Sequence, residues 1–145
     1  MFRGRVEHAI DDKGRLSIPA KFREVLRKQK DKTLILTSFD DYISAFPLKV
    51  WRIIEDRIRS NPVFKRDMRD FLRLVYSSAE DATLDSQGRI LIPQALRQRA
   101  GITRDVVIIG VMDHIEIWDR ARWEARQAAA PSPEELSAKL GELGV

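Results

Sequence analysis

The sequence has no cysteine, only two histidines and no long apolar run. Without cysteine there can be no disulfide framework, thiol nucleophile or thiolate metal site, and the chain fits a reducing compartment. His8 and His114 leave imidazole chemistry little to work with. Both fall at strand positions with no second histidine or carboxylate at ligand spacing, so they read as packed or surface side chains. No stretch approaches the roughly 18 apolar residues that would span a bilayer. The first eight residues carry an acidic side chain and no apolar segment of the secretory kind. The expectation is a cytoplasmic chain with no membrane partner. Gly-x-Gly-x-x-Gly, P-loop and nucleophile-elbow patterns are missing too, so nothing requires a cofactor or a small-molecule substrate.

What remains is 145 residues, 43% apolar and 33% charged, enough for one ordinary domain or two very small ones around a packed core. The net charge of +4 is unevenly placed. Residues 1–75 carry 18 Lys and Arg against 11 Asp and Glu, whereas residues 76–145 carry 8 against 11. A basic surface for an anionic partner would therefore draw mostly on the first half.

The chain also repeats itself. Asp11-Asp12-Lys13-Gly14-Arg15-Leu16-Ser17-Ile18-Pro19 through Arg23 matches Asp85-Ser86-Gln87-Gly88-Arg89-Ile90-Leu91-Ile92-Pro93 through Arg97 at an offset of 74, with Asp, Gly, Arg, Ile, Pro and the final Arg identical. Residues 41–46 align with 113–118 at an offset of 72, and Trp51 falls on Trp123. One long period present twice indicates a duplicated supersecondary unit rather than a solenoid of many short repeats.

Each unit reads locally as strand, turn, strand, helix and hairpin. Val6, His8 and Ile10 alternate with polar neighbours before the first motif, and Leu16 and Ile18 after it, which predicts a hairpin folded about residues 11–14. Asp11 caps the turn and Gly14 supplies the positive φ that a bulged turn needs. Pro19 suits the first helical position, and Phe22, Val25 and Leu26 give the helix an apolar stripe opposite a cationic face of Lys21, Arg23, Arg27, Lys28 and Lys30. In the second unit Pro93 opens the equivalent helix, and Gly101 is placed to end it. Strands are expected over 33–37, 42–46, 106–111 and 115–118, with Asp40-Asp41 as a turn. Pro47 opens a helix with Val50, Trp51, Ile54 and Ile58 on one face, ending near Asn61-Pro62. Phe64, Met68, Phe71, Leu72 and Val75 stripe a connecting helix that leaves Lys65, Arg66, Arg69 and Arg73 outside. A shorter helix carries Ala121, Trp123 and Ala125. The expected organisation is a first unit over 1–60, a connector over 61–76, a second unit over 77–128 and a flexible, acidic tail over 129–145.

An Asp-x-x-Gly-Arg turn followed by a short apolar strand and Ile-Pro, twice about seventy residues apart, closely resembles the MraZ family of bacterial transcriptional regulators. The resemblance covers roughly residues 1–125, and each half is similar to the AbrB/SpoVT swapped-hairpin domain. It implies an α+β fold, a double-split β-barrel made of two tandem units with flanking helices. It further implies double-stranded DNA as the partner and a homo-oligomer larger than a dimer on the nucleoid. The implied role is repression of a division and cell-wall gene cluster through short G-containing direct repeats. The DNA-binding residues it points to are Asp11, Lys13, Gly14 and Arg15 in the first turn, Asp85, Gly88 and Arg89 in the second, and Arg5.

The residue types suit that role without the family. Arginine presents a planar donor fork that matches guanine O6 and N7 or a phosphate, and a two-stranded ribbon fits a major groove about 12 Å wide. Arg89 has the weaker claim, because its half is acidic and lacks a counterpart of Lys13. Two other functions compete. An AbrB-like antitoxin would have a toxin protein as partner, but usually carries one unit and a long tail. A small hydrolase could use Asp11-Asp12 or Asp40-Asp41 as paired carboxylates, but both pairs sit in turns that favour aspartate for backbone reasons.

Overall fold

The computed structural model describes residues 1–38, 41–61 and 68–145. Its elements run β1 (Phe2–Ala9), β2 (Arg15–Ser17), α1 (Ala20–Lys28), β3 (Thr33–Ser38), β4 (Ile43–Pro47), α2 (Leu48–Ser60), α3 (Arg69–Ser78), β5 (Glu80–Thr83), β6 (Arg89–Leu91), α4 (Gln94–Arg99), β7 (Asp105–Met112), β8 (His114–Asp119), α5 (Arg120–Ala128) and α6 (Pro133–Glu142). The class is mixed α and β, with two repeated units and antiparallel pairing throughout.

The two units interleave. A six-stranded sheet runs in the order β1-β7-β8-β4-β3-β5, and β2 pairs with β6 in a separate two-stranded ribbon. Each unit thus lends its first strand to the other: β1 lies along β7 from Phe2↔Met112 to Ala9↔Asp105, and β5 lies along β3 from Thr33↔Thr83 to Leu36↔Glu80.

This corrects the local hairpin expected about residues 11–14. The turn forms as read, with the Gly14 amide donating to the Asp11 carbonyl at 3.0 Å and the Asp11 amide donating to the Arg15 carbonyl at 3.0 Å. The strands on either side of it then part. The eight residues of β1 find eight partners on β7, whereas β2 has only three residues to offer and pairs with its own repeat. A longer ladder satisfies more backbone donors and acceptors, so the non-local pairing wins over the local one.

Period-two alternation divides the side chains between two cores. Leu34 and Leu36 of β3, Ala45 of β4 and Ile115 and Ile117 of β8 face a cluster that also takes in Leu16 and Ile90 of the ribbon, Phe22 and Leu26 of α1, and Leu96 of α4. Ile35 and Phe46 face the opposite side, against Trp51 of α2 and Val75 of α3. On that second face α5 brings Trp123 edge-on to Trp118 at 5.5 Å, and Tyr42 stacks on Trp118 at 4.5 Å.

Pro19, Pro93 and Pro47 stand just before α1, α4 and α2, and Gly101 follows α4 with φ +65°. Asp41 lies in a bend, while Asp40, Phe64, Lys65 and Arg66 lie outside the described residues. Of the expected connector stripe, Val75 is buried, Met68 and Leu72 are half-buried, and Phe71 is exposed. The acidic tail contains the helix α6, none of whose residues is buried. Ser132 caps it by accepting from the Glu135 amide at 3.2 Å, Pro133 begins it, and Glu134 and Glu135 suit its positive N-terminal end.

Candidate nucleic-acid interface

The ribbon is built by two copies of one turn. In the first, Asp11 Oδ1 accepts from the amides of Lys13 at 2.9 Å and Arg15 at 2.8 Å, and Oδ2 accepts from Arg15 Nε at 2.6 Å. In the second, Asp85 Oδ1 accepts from the amides of Gln87 at 2.8 Å and Arg89 at 2.9 Å, and Oδ2 accepts from Arg89 Nε at 3.0 Å. The aspartate therefore closes the turn and holds the arginine with a single carboxylate. Its backbone bond from Arg15, then the Arg15 side chain and the Lys13 amide, hold the Asp11 carboxyl below its ordinary value; the Arg89 backbone bond, the Gln87 amide and the Arg89 side chain do the same for Asp85. Each carboxylate is committed as an acceptor to two backbone amides and one guanidinium.

Both arginines project from the same face. In the register Arg15↔Leu91, Leu16↔Ile90 and Ser17↔Arg89, the central pair is buried at 0% and 1% exposure. Alternation then sends Arg15, Ser17, Arg89 and Leu91 to the opposite, outer side. Arg15 and Arg89 are diagonal neighbours there, a relation that places their α-carbons about 7–8 Å apart. Although Arg89 belongs to the acidic half of the sequence, it shares this face with Arg15. The charge difference between halves has no spatial counterpart at the ribbon, because one strand comes from each half.

The two glycines do more than permit the turn. Gly14 and Gly88 have φ of +82° and +74°, and both are buried beneath an arginine of the other unit. A β-carbon on Gly14 would lie 3.1 Å from Arg97 Cζ and 3.0 Å from the Ile92 carbonyl oxygen; one on Gly88 would lie 2.6 Å from Arg23 Cδ. Arg23 Nε donates to the Ile18 carbonyl at 3.0 Å and Arg97 Nε to the Ile92 carbonyl at 3.1 Å. The Gly14 carbonyl accepts from the Ile92 amide and the Gly88 carbonyl from the Ile18 amide, at 2.8 and 3.0 Å. Arg23 and Arg97 are thus cross-braces of the ribbon. Sequence reading assigned Arg23 only to a cationic helix face. The available signal was that these two arginines end the matched segment of the repeat.

The other expected site residues are spread more widely. Lys13 is exposed at the tip of the first turn. Arg5 is exposed on β1, opposite Ile109, and so belongs to the large sheet rather than to the ribbon. His8 is exposed. His114, read as having no carboxylate at ligand spacing, lies between two: its Nδ1 is 2.7 Å from Asp113 and its Nε2 is 3.8 Å from Glu116, with the ring stacked on Phe46 at 4.5 Å. Burial pushes its pKa down, but hydrogen bonds to Glu116 and Asp113 outweigh that and leave it above the ordinary histidine value. The alternation of β8 brings Glu116 to the same side as His114, a pairing visible once the strand is known. Among the described residues, no three His, Cys, Asp or Glu side chains cluster as metal ligands, and no helix is long and apolar enough to cross a membrane.

Comparison with known proteins matches this duplicated plan. The family model described as "MraZ protein, putative antitoxin-like" matches twice, over residues 1–74 and 75–141. A protein named transcriptional regulator MraZ in Clostridium tetani is 40% identical over 146 residues, covering 100% of both chains. Proteins of the same name are 41% identical over the full length of both chains in Syntrophomonas wolfei, and 44% identical in Moorella thermoacetica over 86% of this chain and 85% of the relative. The chain belongs to the MraZ family.

Proposed function

We propose that this protein is a sequence-specific, DNA-binding transcriptional regulator that reads base edges with the outer face of the β2–β6 ribbon. The observation that carries the reading is the pair of Asp–Arg clamps on one face of one ribbon. A ribbon of two strands is narrow enough for the major groove. An arginine bound through Nε keeps its two Nη groups for a guanine O6 and N7 or for a phosphate. The clamp removes rotamer freedom before binding, so less conformational entropy is lost in the complex. Two arginines about 7–8 Å apart on the diagonal span about two base steps of 3.4 Å. Asp11 and Asp85 offset the repulsion between the two guanidiniums in the free protein. Gly14 and Gly88 let Arg97 and Arg23 lie against the turns, and Lys13 adds charge at one tip. Arg5 would reach only flanking phosphate.

In this reading the crossed pairing of β1 with β7 and β2 with β6 supports a double-split β-barrel of the swapped-hairpin type, formed by units 1–60 and 77–128 around the 61–76 connector. The protein works in the cytoplasm on the nucleoid, as a homo-oligomer larger than a dimer. One ribbon offers few base contacts, and several ribbons on several short direct repeats multiply weak contacts by avidity. Repression of a division and cell-wall gene cluster follows from such occupancy of its promoter.

The deciding experiment is a gel shift with the DNA immediately upstream of the gene, beside a scrambled duplex, across a salt series. Specific binding is expected, with log affinity falling by about 0.9 per phosphate contact for each unit of log salt. Equal affinity for both duplexes, or no binding at low salt, would overturn the proposal. Light scattering that found a monomer at micromolar concentration would remove the assembly.

A further inference from the structure

One side chain on the outer ribbon face is explained by neither charge nor turn chemistry. Leu91 is 59% exposed, between Ile90 and Ile92, which are 1% and 0% exposed. A lone exposed leucine is ordinary on a protein surface. Its place in the register is what distinguishes this one. Leu91 is the direct cross-strand partner of Arg15, and the matching position at the other end of the ribbon, partnered with Arg89, is Ser17. The outer face therefore carries two guanidiniums, one hydroxyl and one isobutyl group, and its two ends differ in chemistry although their backbones follow the same plan.

The geometry points to Leu91 as a specificity-determining residue, an apolar reader that packs on the C5-methyl group of a thymine beside the guanine engaged by Arg15. The inference rests on the reading of the ribbon as the base-reading element. In the major groove only thymine adds a methyl group to the donor and acceptor pattern of the base pairs. Leucine pressed on any other edge would strip water from polar atoms without replacing their hydrogen bonds. Pressed on a thymine methyl, it buries apolar surface on both partners. Directly opposed residues on an antiparallel pair have β-carbons about 4.5–5.5 Å apart, and bases along a strand are about 3.4 Å apart, so Leu91 and Arg15 address the same or adjacent base pairs. The Arg89 end, with Ser17 in place of leucine, has no such preference. A ribbon with nearly two-fold backbone symmetry is thereby given a direction, and it distinguishes the two ways of lying on a duplex.

The test is selection from a pool of duplexes with a randomised core by the full-length wild type, Leu91→Ser and Ser17→Leu, at one salt concentration and with thermal melting of each protein. Leu91→Ser copies the side chain of the sister position. The wild type is expected to enrich a thymine at a fixed offset from a guanine, Leu91→Ser to keep the guanine and lose the thymine, and Ser17→Leu to gain a second thymine preference at the Arg89 end. Replacing the selected thymine by deoxyuridine removes only the methyl group. It should weaken the wild type about fourfold, the factor equivalent to about 0.8 kcal/mol for one buried methyl, and leave Leu91→Ser unchanged. If Leu91→Ser selects the same thymine, or remains sensitive to deoxyuridine, the inference is overturned while the DNA-reading ribbon stands. If a normally melting wild type enriches no sequence, the ribbon reading itself falls and this inference with it. Should Leu91→Ser melt below the assay temperature, Ser17→Leu decides: no new thymine preference overturns the inference.

Discussion

The two faces of the β2–β6 ribbon are made from neighbouring residues of the same short strands. Leu16 and Ile90 point inward and are buried at 0% and 1%, within a cluster drawn from both units; Arg15, Ser17, Arg89 and Leu91 point outward. The inner face ties the ribbon to the sheet, and the outer face is the one proposed to meet DNA. Because successive side chains on a strand alternate sides, a single step along the backbone separates the core-facing residues from those proposed to recognise DNA. The Arg15–Asp11 pair lies at the surface, where water screens its charges, so the clamp's value is geometric.

The largest effect should come from the inner face. Leu16→Ala is expected to lower stability by about 2–5 kcal/mol, because it leaves a cavity where both units meet. Chemical denaturation measures this, and DNA binding by the fraction still folded should be unchanged. Loss of binding in fully folded Leu16→Ala protein would break the separation of faces.

Gly14→Ala tests the boundary between the faces. Positive φ costs a non-glycine residue about 1–2 kcal/mol, and the new β-carbon would meet the Ile92 carbonyl oxygen at 3.0 Å. Stability should fall by at least that positive-φ cost. Operator affinity should fall too, because Arg97 and the turn must shift.

On the outer face Arg15→Ala should change stability by no more than about 0.5 kcal/mol. Each bidentate arginine–guanine contact carries about 1–3 kcal/mol of discrimination, so a gel shift should show about fivefold or greater loss of operator affinity, more in the assembled protein. Arg89→Ala should behave alike, since its clamp repeats the first. Lys13→Ala should weaken operator and scrambled DNA equally, as an ammonium reads charge and little sequence. If Arg15→Ala unfolds the protein, the outer face is structural as well.

The smallest effects are in pH. Asp11 has a lowered pKa, so its contribution to stability is present above 3.8 and is lost as pH falls through the lower folded value. The melting-temperature gap between wild type and Asp11→Asn should close over that window. His114 is the opposite case: with a raised pKa, its contribution is full below 6.5 and is lost as pH rises through the higher folded value, so a wild-type decline in melting temperature from pH 6 to pH 8 should flatten in His114→Gln.

Local chemistry made much of the outer face legible in the sequence. Asp-x-x-Gly-Arg names a turn, its capping carboxylate and its glycine, and the second copy shows that the arrangement is deliberate. Pro19, Pro47 and Pro93 mark helix starts for an equally local reason, fixed φ and a missing donor. Arg23 and Arg97 were harder to read, since each acts on the glycine of the other unit, some 65 to 83 residues away in the chain. Periodicity places Phe71 on an apolar stripe, yet how far a helix rolls against its sheet is decided by packing, and Phe71 is 39% exposed.

The sequence by itself determined the repeat, the turns, the helix starts marked by proline and the identity of the clamped arginines, because each depends on a few neighbouring residues whose backbone preferences are intrinsic. Only the tertiary structure decided which strands pair. Hydrogen-bond ladders are chemically alike whichever strands form them, and the choice depends on length and burial summed over distant segments. That choice sends β1 to β7 and β2 to β6, puts Arg15 and Arg89 on one face despite the charge of their halves, and sets Leu91 opposite Arg15, where a three-residue strand cannot announce which side will be dry.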